Sequence, residues 1–329
     1  MTNQLTFSRQ TKNEIYKSIN HLKNCCVDVF LYAVFKTLGS LIFTNKGLAL
    51  AVSTENNDLL NLACKLVKQQ YGKTCKVQSE NTNSFSGNVI FNAKFDLGLV
   101  EKLKLIHYDE QGLLQIVNTT NNFFDDNECC RKIFLKTLFL CCGSITVPVM
   151  SEDFTESKKG QRYHMEMVFS DQTFAQSVLE LLNWLGFDFK MTKRKSHVVL
   201  YLKKPDNIAD FLVYLNAMKS KLEIENVMIE RNLRNVANRQ SNCINANIDK
   251  ALLASNKQIE AINLLQKAGK LALLSVQLRD VARLRLNHPE ATLEELAQIT
   301  GISKSGIRHR LDRLVELSKD ITQGENHES

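Results

Sequence analysis

One arrangement of a Cys-Cys pair and a Gly-Ser pair occurs twice in the chain. The adjacent cysteines Cys25-Cys26 are followed by twelve residues and then by Gly39-Ser40, and the same arrangement returns 104 positions later as Cys129-Cys130 and Gly143-Ser144. Between the landmarks, apolar residues recur at the three- and four-residue spacing of a helix that buries one face. Each copy therefore predicts a helix that ends at a Gly-Ser pair.

The segments that follow the two helices also correspond, which indicates a duplication. We interpret the repeat as α-β-β-α-β-β-α. The segments that match after the first helix are one strand, a second helix that ends beside a glycine, two more extended segments and a last helix. The matched segments are strands at 50–55 and 166–171, helices at 58–71 and 172–187, extended pairs at 76–77 with 89–91 and at 190–191 with 198–200, and last helices near 97–107 and 207–218. Because one such unit is small for a core of its own, we expect the first helices of the two copies to pack together across a pseudo-twofold axis.

Composition limits the possible classes of protein. A chain of 329 residues with 44% hydrophobic and 23% charged residues has room for two or three domains. Its longest apolar runs are shorter than a membrane span, and residues 1–13 lack the form of a signal peptide, so we expect a cytoplasmic protein without a membrane partner. The net charge of +7 permits nucleic-acid binding without demonstrating it.

The nine cysteines give no pattern of a metal site or a disulfide framework. Their number is odd, and none of them forms a Cys-x-x-Cys pair. We therefore predict reduced thiols that serve as small core residues, with Cys243 as the one exposed exception. No metal and no cofactor are expected.

The N-terminal segment, residues 1–22, predicts a helix with Ser8 as its N-cap that packs on the first repeat. The Asn-, Ser- and Thr-rich segments 78–87 and 118–127 are predicted to be surface loops, as is the polar insertion at 148–161.

A basic tripeptide lies at the predicted turn between two strands of the second repeat. Lys193, Arg194 and Lys195 could bind phosphates there. The alternative is an ordinary solvated hairpin turn, because basic turn residues are common on any surface.

Past residue 218 the pattern becomes helical, so a domain boundary is predicted near 215–230. Residues 219–250 form an Arg- and Asn-rich stretch that includes Arg234 and Arg239. Asparagine is a poor helix former, and we interpret the stretch as a linker whose side chains bind either phosphates or the backbone of a hinge. A helix is predicted to begin near residue 248.

The region 251–320 is predicted to be a helical domain that contains a helix-turn-helix at 292–316. Thr292 and Glu295 have the spacing of a capping box, and Ala297 precedes Gly301 by four residues. In a helix-turn-helix the small residue allows the second helix to approach, and the glycine makes the turn. Ser303 is predicted to cap the second helix, and residues 321–329 are predicted to be a disordered tail.

The second helix of this motif has two unlike sides. Ile307, Leu311 and Leu314 share an apolar side. The other side carries the candidate DNA-binding residues, which are Ser303, Lys304, Ser305, Arg308, His309, Arg310 and Arg313. We predict that Ser305, Arg308 and His309 read base edges and that the remaining cations anchor phosphates. The alternative is a helical hairpin with a solvated basic side.

Three arginines before Pro289 add to this prediction. Arg279, Arg283 and Arg285 lie on one predicted helix and are candidates for further phosphate contacts.

The duplication, the α-β-β-α-β-β-α order and the Gly-Ser helix ends resemble the LAGLIDADG homing-endonuclease fold. The resemblance implies that an aspartate directly before each glycine binds the catalytic Mg²⁺ in active members. Leu38 and Cys142 occupy those positions here, and neither offers the oxygen ligand that Mg²⁺ requires. We therefore predict a degenerate domain at 23–218, with repeats at about 23–118 and 128–218, that is not an enzyme.

The combination of this domain with a C-terminal helix-turn-helix resembles the WhiA family of bacterial transcription regulators over nearly the whole chain. The matching residues are Phe7-Ser8, the two Cys-Cys to Gly-Ser helices, Arg234-Asn235, Asn238-Arg239, Asn242-Cys243, Ala246-Asn247, Gln258-Ile259, Ser303-Lys304-Ser305-Gly306 and His309-Arg310-Leu311. The resemblance implies a cytoplasmic, nucleoid-associated regulator linked to sporulation or to cell division and chromosome segregation. It also implies double-stranded DNA as a partner, and a sigma factor or RNA polymerase as a possible second one.

The sequence thus predicts an α+β duplicated domain joined to an all-α helix-turn-helix domain, with transcription regulation as its function. Two other functions stay open: a residual DNA endonuclease, and a protein-interaction adaptor of the transcription machinery.

Overall fold

A computed structural model describes residues 5–19, 21–45, 47–81, 89–120, 127–148 and 162–320, together with the backbone of 321–325. The chain divides into two compact units, unit 1 at Met1–Glu230 and unit 2 at Arg231–Ser329. Within the described ranges, no helix is long and apolar enough to cross a membrane.

Unit 1 contains two α/β repeats preceded by one helix. The N-terminal helix is α1 (Phe7–Ser18). The first repeat comprises α2 (Asn24–Leu38), β1 (Gly39–Thr44), β2 (Gly47–Thr54), α3 (Asn57–Tyr71), β3 (Gln78–Asn81), β4 (Val89–Asp96), α4 (Leu97–Lys102), β5 (Ile106–Tyr108) and β6 (Leu114–Ile116). The second comprises α5 (Glu128–Cys142), β7 (Gly143–Thr146), β8 (His164–Phe169), α6 (Gln172–Trp184), β9 (Lys190–Arg194), β10 (His197–Leu202) and α7 (Pro205–Tyr214).

Unit 2 is helical. Its elements are the C-terminal part of α8 (Met218–Lys267), a 3₁₀ turn at Leu271–Leu273, α9 (Val276–Asn287), α10 (Leu293–Thr300) and α11 (Lys304–Glu325).

The two main sheets have the same strand order. One is β1-β2-β4-β3 and the other is β7-β8-β10-β9, and all neighbouring strands are antiparallel. In both sheets the first strand begins at the glycine that ends the preceding helix, and this glycine pairs with Val52 in one repeat and Met167 in the other. The predicted duplicated α+β fold is confirmed.

Helices α2 and α5 pack against each other at the centre of unit 1. Phe30 and Phe134 are fully buried, and the rings of Tyr32 and Phe134 lie 6.3 Å apart between centroids. Each such side chain contributes about 1.5 to 3 kcal/mol by leaving water. Glycine is needed where α2 ends, because a Cβ on Gly39 would lie 2.2 Å from the carbonyl oxygen of Phe35 in the last turn of the same helix.

The placement of α1 differs from the prediction. Thr6, not Ser8, is the N-cap, since its side chain accepts from the Arg9 amide. Ser8 Oγ instead accepts from the Ile145 amide at 3.2 Å. The helix therefore packs chiefly on α5 and β7 of the second repeat, although the Tyr16 hydroxyl also donates to the carbonyl of Asp58 in the first repeat.

Parts of the predicted loops are strands. Residues 78–81 form β3, and an unpredicted hairpin joins β5 to β6 at the end of the first repeat. The last helix of that repeat ends at Lys102, so the prediction that it extends to 107 is wrong. Residues 82–87, 121–126 and 149–161 of the predicted loops lie outside the described residues.

Residues 219–250 are helical, which corrects the linker prediction. Helix α8 is continuous for 50 residues and begins at Met218, not near 248. The carboxylate of Glu14 accepts from the amides of Lys219 and Ser220, so α1 caps the first turn of α8. The lower helix propensity of asparagine, under about 1 kcal/mol per residue, does not break a helix of this length.

At the other end of the chain, α11 continues to Glu325. The backbone of 321–325 is therefore helical rather than disordered, and 326–329 lie outside the described residues.

One cysteine pair contradicts the prediction of reduced thiols. Cys64 and Cys75 form a disulfide with their Cα atoms 5.7 Å apart. Gly72 ends α3 in the left-handed conformation, with φ of 69°, and turns the chain so that Cys75 comes back beside Cys64. The bond depends on this reversal of the chain direction, which cysteine spacing alone does not reveal.

The core of unit 2 combines four helices. Helix α8 contributes Ile262 and Leu265, α9 contributes Val281 and Ala282, α10 contributes Leu296, and α11 contributes Ile307, Leu311 and Leu314. The apolar side predicted for α11 is confirmed.

Candidate nucleic-acid interface

Helix α10 starts and stops where the sequence predicts. The Glu295 amide donates to Thr292 Oγ1 at 3.2 Å, while the Thr292 amide donates to Glu295 Oε2 at 2.7 Å. This capping box satisfies two amides at the helix start, and the Thr292 amide holds the pKa of Glu295 below its ordinary value. The helix ends at Gly301, whose φ of 68° is strained for any residue with a Cβ.

The turn into α11 is equally defined. Ser303 Oγ accepts from the Gly306 amide at 3.2 Å, which makes Ser303 the predicted cap. A Cβ on Gly306 would lie 2.9 Å from Cγ2 of Ile302, so glycine at this position lets the turn pack tightly against the helix. The orientation of α11 is therefore fixed at its first turn.

The outer side of α11 is exposed and polar. Ile307 and Leu311 are fully buried, whereas Arg308 and His309 between them are exposed. The residues that line one open groove along this side are Ser303, Lys304, Ser305, Arg308, His309 and Asp312. Arginine and histidine side chains that project from a helix can donate hydrogen bonds to base edges in a major groove.

Two of the predicted phosphate anchors already have acidic partners. Lys304 Nζ lies 2.5 Å from Glu294 Oε2, and Arg313 Nη1 lies 3.0 Å from Glu316 Oε2. All four side chains are more than half exposed, and exposed pairs of this kind contribute only about 0 to 1 kcal/mol. Replacing the carboxylate partner of Lys304 or Arg313 by a DNA phosphate therefore costs little free energy. Arg310 is half-buried.

Arg285 is not available to DNA, which corrects one prediction. Its side chain is 2% exposed, and its Nη1 donates to the carbonyl oxygens of His288 and Ala291 at 3.3 and 2.7 Å. Burial lowers the pKa of its guanidinium. Arg285 therefore holds the loop between α9 and α10. On the same helix, Arg279 is half-buried and Arg283 is exposed.

Two candidate arginines of the stretch that was predicted to be a linker lie on helix α8. Arg239 is exposed and Arg234 is half-buried. Their predicted phosphate contacts remain predictions.

The basic tripeptide of the second repeat does form a hairpin tip, with Lys195 in the left-handed region at φ 56°. Arg194 is committed to Glu166, because its two terminal nitrogens lie 3.1 and 2.6 Å from the carboxylate oxygens. This pair, assisted by His164 at 2.9 Å, holds the pKa of Glu166 below its ordinary value. Lys193 and Lys195 are exposed.

Leu38 and Cys142, which stand where the resemblance to homing endonucleases would place the Mg²⁺-binding aspartates, are the last residues of α2 and α5. Cys142 donates its thiol proton to the carbonyl of Leu138 at 3.2 Å, and burial raises its pKa to about 12. Leu38 is half-buried in the apolar core. The ammonium of Lys12 interacts electrostatically with Cys142, and burial lowers the pKa of this lysine. Neutral sulfur, an alkyl chain and a cation are poor neighbours for Mg²⁺.

Sequence reasoning missed one cluster. Cys25, Cys26, Cys129 and Cys130 come together at the opposite, N-terminal ends of the same two helices. Within the described part of the chain this is the only group of three or more metal-type ligands. The twice-repeated cysteine pair was the signal that could have indicated it.

Comparison with known proteins agrees with this architecture. The WhiA N-terminal LAGLIDADG-like domain matches residues 24–106, the WhiA LAGLIDADG-like domain matches 131–234, and the WhiA C-terminal HTH domain matches 237–318. The crystal structure of full-length WhiA from Thermatoga maritima covers 96% of this chain and 99% of its own, with a TM-score of 0.53 and 22% identity, which shows a shared fold.

Curated relatives extend over the same length. A probable cell division protein WhiA from Clostridium tetani is 30% identical, covering 98% of this chain and 100% of the relative. A protein of the same name from Clostridium botulinum strain Hall is 32% identical, covering 97% and 100%. Since three domain matches and full-length relatives agree with the fold, this chain belongs to the WhiA family.

Proposed function

We propose that the chain is a DNA-binding transcription regulator that reads promoter DNA through α11. The observation that carries this proposal is the division of α11 into two sides. Ile307, Leu311 and Leu314 are fully buried, while Arg308 and His309 project from the same turns into solvent. A helix anchored in this way can enter a major groove without disturbing its own core.

The side chains have distinct roles in this proposal. Arg308 donates to guanine, and His309 and Ser305 complete the base contacts, each good contact discriminating by about 1 to 3 kcal/mol. Lys304, Arg310 and Arg313 anchor phosphates and fix the register of the helix without reading sequence.

The duplicated domain acts, in this proposal, as a platform and not as an enzyme. Leu38 and Cys142 supply no oxygen ligand for Mg²⁺, and Lys12 places a cation near one of these positions. Its partner is a sigma factor or RNA polymerase. The protein works in the cytoplasm at the nucleoid, in cell division and chromosome segregation or, in a sporulating organism, in sporulation. The relatives' name as probable cell division proteins supports the first process.

The test begins with selection of preferred duplexes from a random pool by the full-length chain. Binding of the selected duplex and of a scrambled one is then measured for three variants. We expect Arg308→Ala to lose preference for the selected duplex, since a base contact is removed. Arg313→Ala should weaken both duplexes alike and reduce the salt dependence by about one phosphate contact.

Lys257→Ala is the charge-matched control, because Lys257 is an exposed cation of unit 2 on α8. It should leave the preference unchanged. An unaltered preference in Arg308→Ala would remove the base-reading role.

The two other functions have their own outcomes. Mg²⁺-dependent nicking of plasmid DNA by the wild-type chain would indicate a residual nuclease. Failure to retain any duplex at moderate salt would indicate a protein-interaction adaptor instead.

A further inference from the structure

Four cysteines meet where the N-terminal turns of α2 and α5 pack together. Cys25 and Cys129 are equivalent across the two repeats, and so are Cys26 and Cys130. The Sγ atoms of Cys25 and Cys26 are 3.7 Å apart, those of Cys25 and Cys129 are 3.8 Å apart, and those of Cys26 and Cys130 are 3.8 Å apart. All four Sγ atoms lie within 4.8 Å of one another.

These separations match the size of one tetrahedral metal site. Four thiolates at about 2.3 Å from a central zinc ion form a tetrahedron with edges of about 3.8 Å. Three of the six sulfur–sulfur separations equal that edge within 0.1 Å, and the other three are at most 4.8 Å. Thiolates that bind different irons of a cluster would be spaced farther apart, so the geometry favours a single ion.

The surroundings act on the thiolates in opposite directions. Burial raises the pKa of the Cys26 and Cys130 thiols, whereas the two helix starts and a nearby cation favour negatively charged sulfur. Each pair occupies the second and third positions of its helix, where the helix dipole is positive, although the amides of Cys26 and Cys130 already donate to the carbonyls of Lys23 and Asn127. Two helix starts therefore converge on the cluster. Lys23, which precedes α2, adds a cation whose charge acts on Cys129. Cys25 is exposed and Cys129 is half-buried, which leaves a path by which an ion can enter from solvent.

The geometry points to a structural site for a soft divalent ion, zinc above all, that joins the two repeats through Cys25, Cys26, Cys129 and Cys130. Each cysteine binds as a thiolate and releases its proton. The site has no open position for substrate, since four protein ligands complete the tetrahedron.

The site is separate from the former nuclease positions. Helix α2 has 15 residues, so its N-terminal cysteines and Leu38 are roughly 20 Å apart at about 1.5 Å per residue. The ion would join the repeats at the N-terminal end of the helix pair, opposite the glycines at which β1 and β7 begin. Spacing rules did not reveal it, because its ligands come from two adjacent pairs, one in each repeat.

A cobalt titration tests the proposal. The full-length chain is stripped of metal with a chelator, kept reduced without oxygen, and titrated with Co²⁺. We expect the visible bands of tetrahedral Co²⁺ and a thiolate charge-transfer band, both saturating at about one ion per chain. Zn²⁺ should abolish both bands, and elemental analysis of the protein as purified distinguishes zinc from iron.

The variants locate the ion. Cys25→Ser with Cys129→Ser changes the two more accessible ligands and leaves the buried pair intact, and it should lose the tetrahedral spectrum. Cys243→Ser, which changes an exposed free thiol on α8, is the matched control and should keep it.

Three results would overturn the proposal. The first is a reduced wild-type chain that gives only the spectrum of hydrated Co²⁺. The second is a tetrahedral spectrum that survives in the double variant, and the third is one that disappears in Cys243→Ser. The titration of the wild-type chain needs no substitution, so its result does not depend on whether a variant folds.

Discussion

Helix α11 and the β9–β10 hairpin both present basic residues, but Arg308 on the helix and Arg194 on the hairpin are held differently. On α11, no ion pair joins Arg308 to another described residue, and the opposite side of the helix is fixed by buried leucines. On the hairpin, Arg194 donates hydrogen bonds to both carboxylate oxygens of Glu166. A count of basic residues therefore does not locate a DNA-binding surface. The availability of each charge and the rigidity of the element that carries it are what distinguish the two regions.

The largest expected effect comes from the buried side of α11. Replacing the fully buried Leu311 by alanine removes packing against α8 to α10 and should lower the free energy of unfolding of unit 2 by about 2 to 5 kcal/mol. Urea unfolding followed by circular dichroism measures the change. Asp312→Ala, one residue further on the exposed side, is the control and should stay within about 0.5 kcal/mol. Equal effects of the two would mean that α11 is not anchored as described.

A smaller effect is expected at the start of α10, which positions the turn into α11. Thr292→Ala removes the oxygen that accepts from the Glu295 amide and should cost about 1 kcal/mol of stability. The order of preference among DNA sequences should not change, because the base-reading side chains are intact. Thr292→Ser retains the oxygen and serves as the control. If Thr292→Ser lowered the stability as much as Thr292→Ala does, the lost cap hydrogen bond would not be the cause.

The smallest effect on DNA binding is expected at the hairpin. Arg194→Ala removes a cation that Glu166 already neutralises, so affinity for the selected duplex should be unchanged in a fluorescence titration. Arg308→Ala under the same conditions is the comparison and should show the loss. If Arg194→Ala weakened binding as much as Arg308→Ala, the sheet of the second repeat would have to be counted as part of the interface.

Much of the fold was predictable because its signals are local. The Thr292 capping box, the left-handed Gly301 and the apolar spacing of Ile307, Leu311 and Leu314 each act over a few residues, and all were confirmed. The errors share another cause. Arg285 looked like its neighbours in sequence, yet the loop after α9 folds back over it and takes its hydrogen bonds.

The start of α8 is a second case in which a contact distant in sequence could not be predicted from local signals. Asparagine density predicted an interruption, but the carboxylate of Glu14, 205 residues away from Lys219, accepts from the first amides of the helix. Propensities are small and additive, whereas a contact of this kind depends on where another helix lies.

The sequence by itself determined the duplication, the loss of acidic residues before Gly39 and Gly143, and the two-sided character of α11, because these follow from residue type and short-range periodicity. Tertiary structure alone decided which cations are available and which cysteines meet. Cys25 and Cys129 are 104 residues apart, and their sulfur atoms come within 3.8 Å only because two helices pack start to start across the pseudo-twofold axis. Packing of this kind depends on the shape of whole surfaces, which no short stretch of the chain encodes.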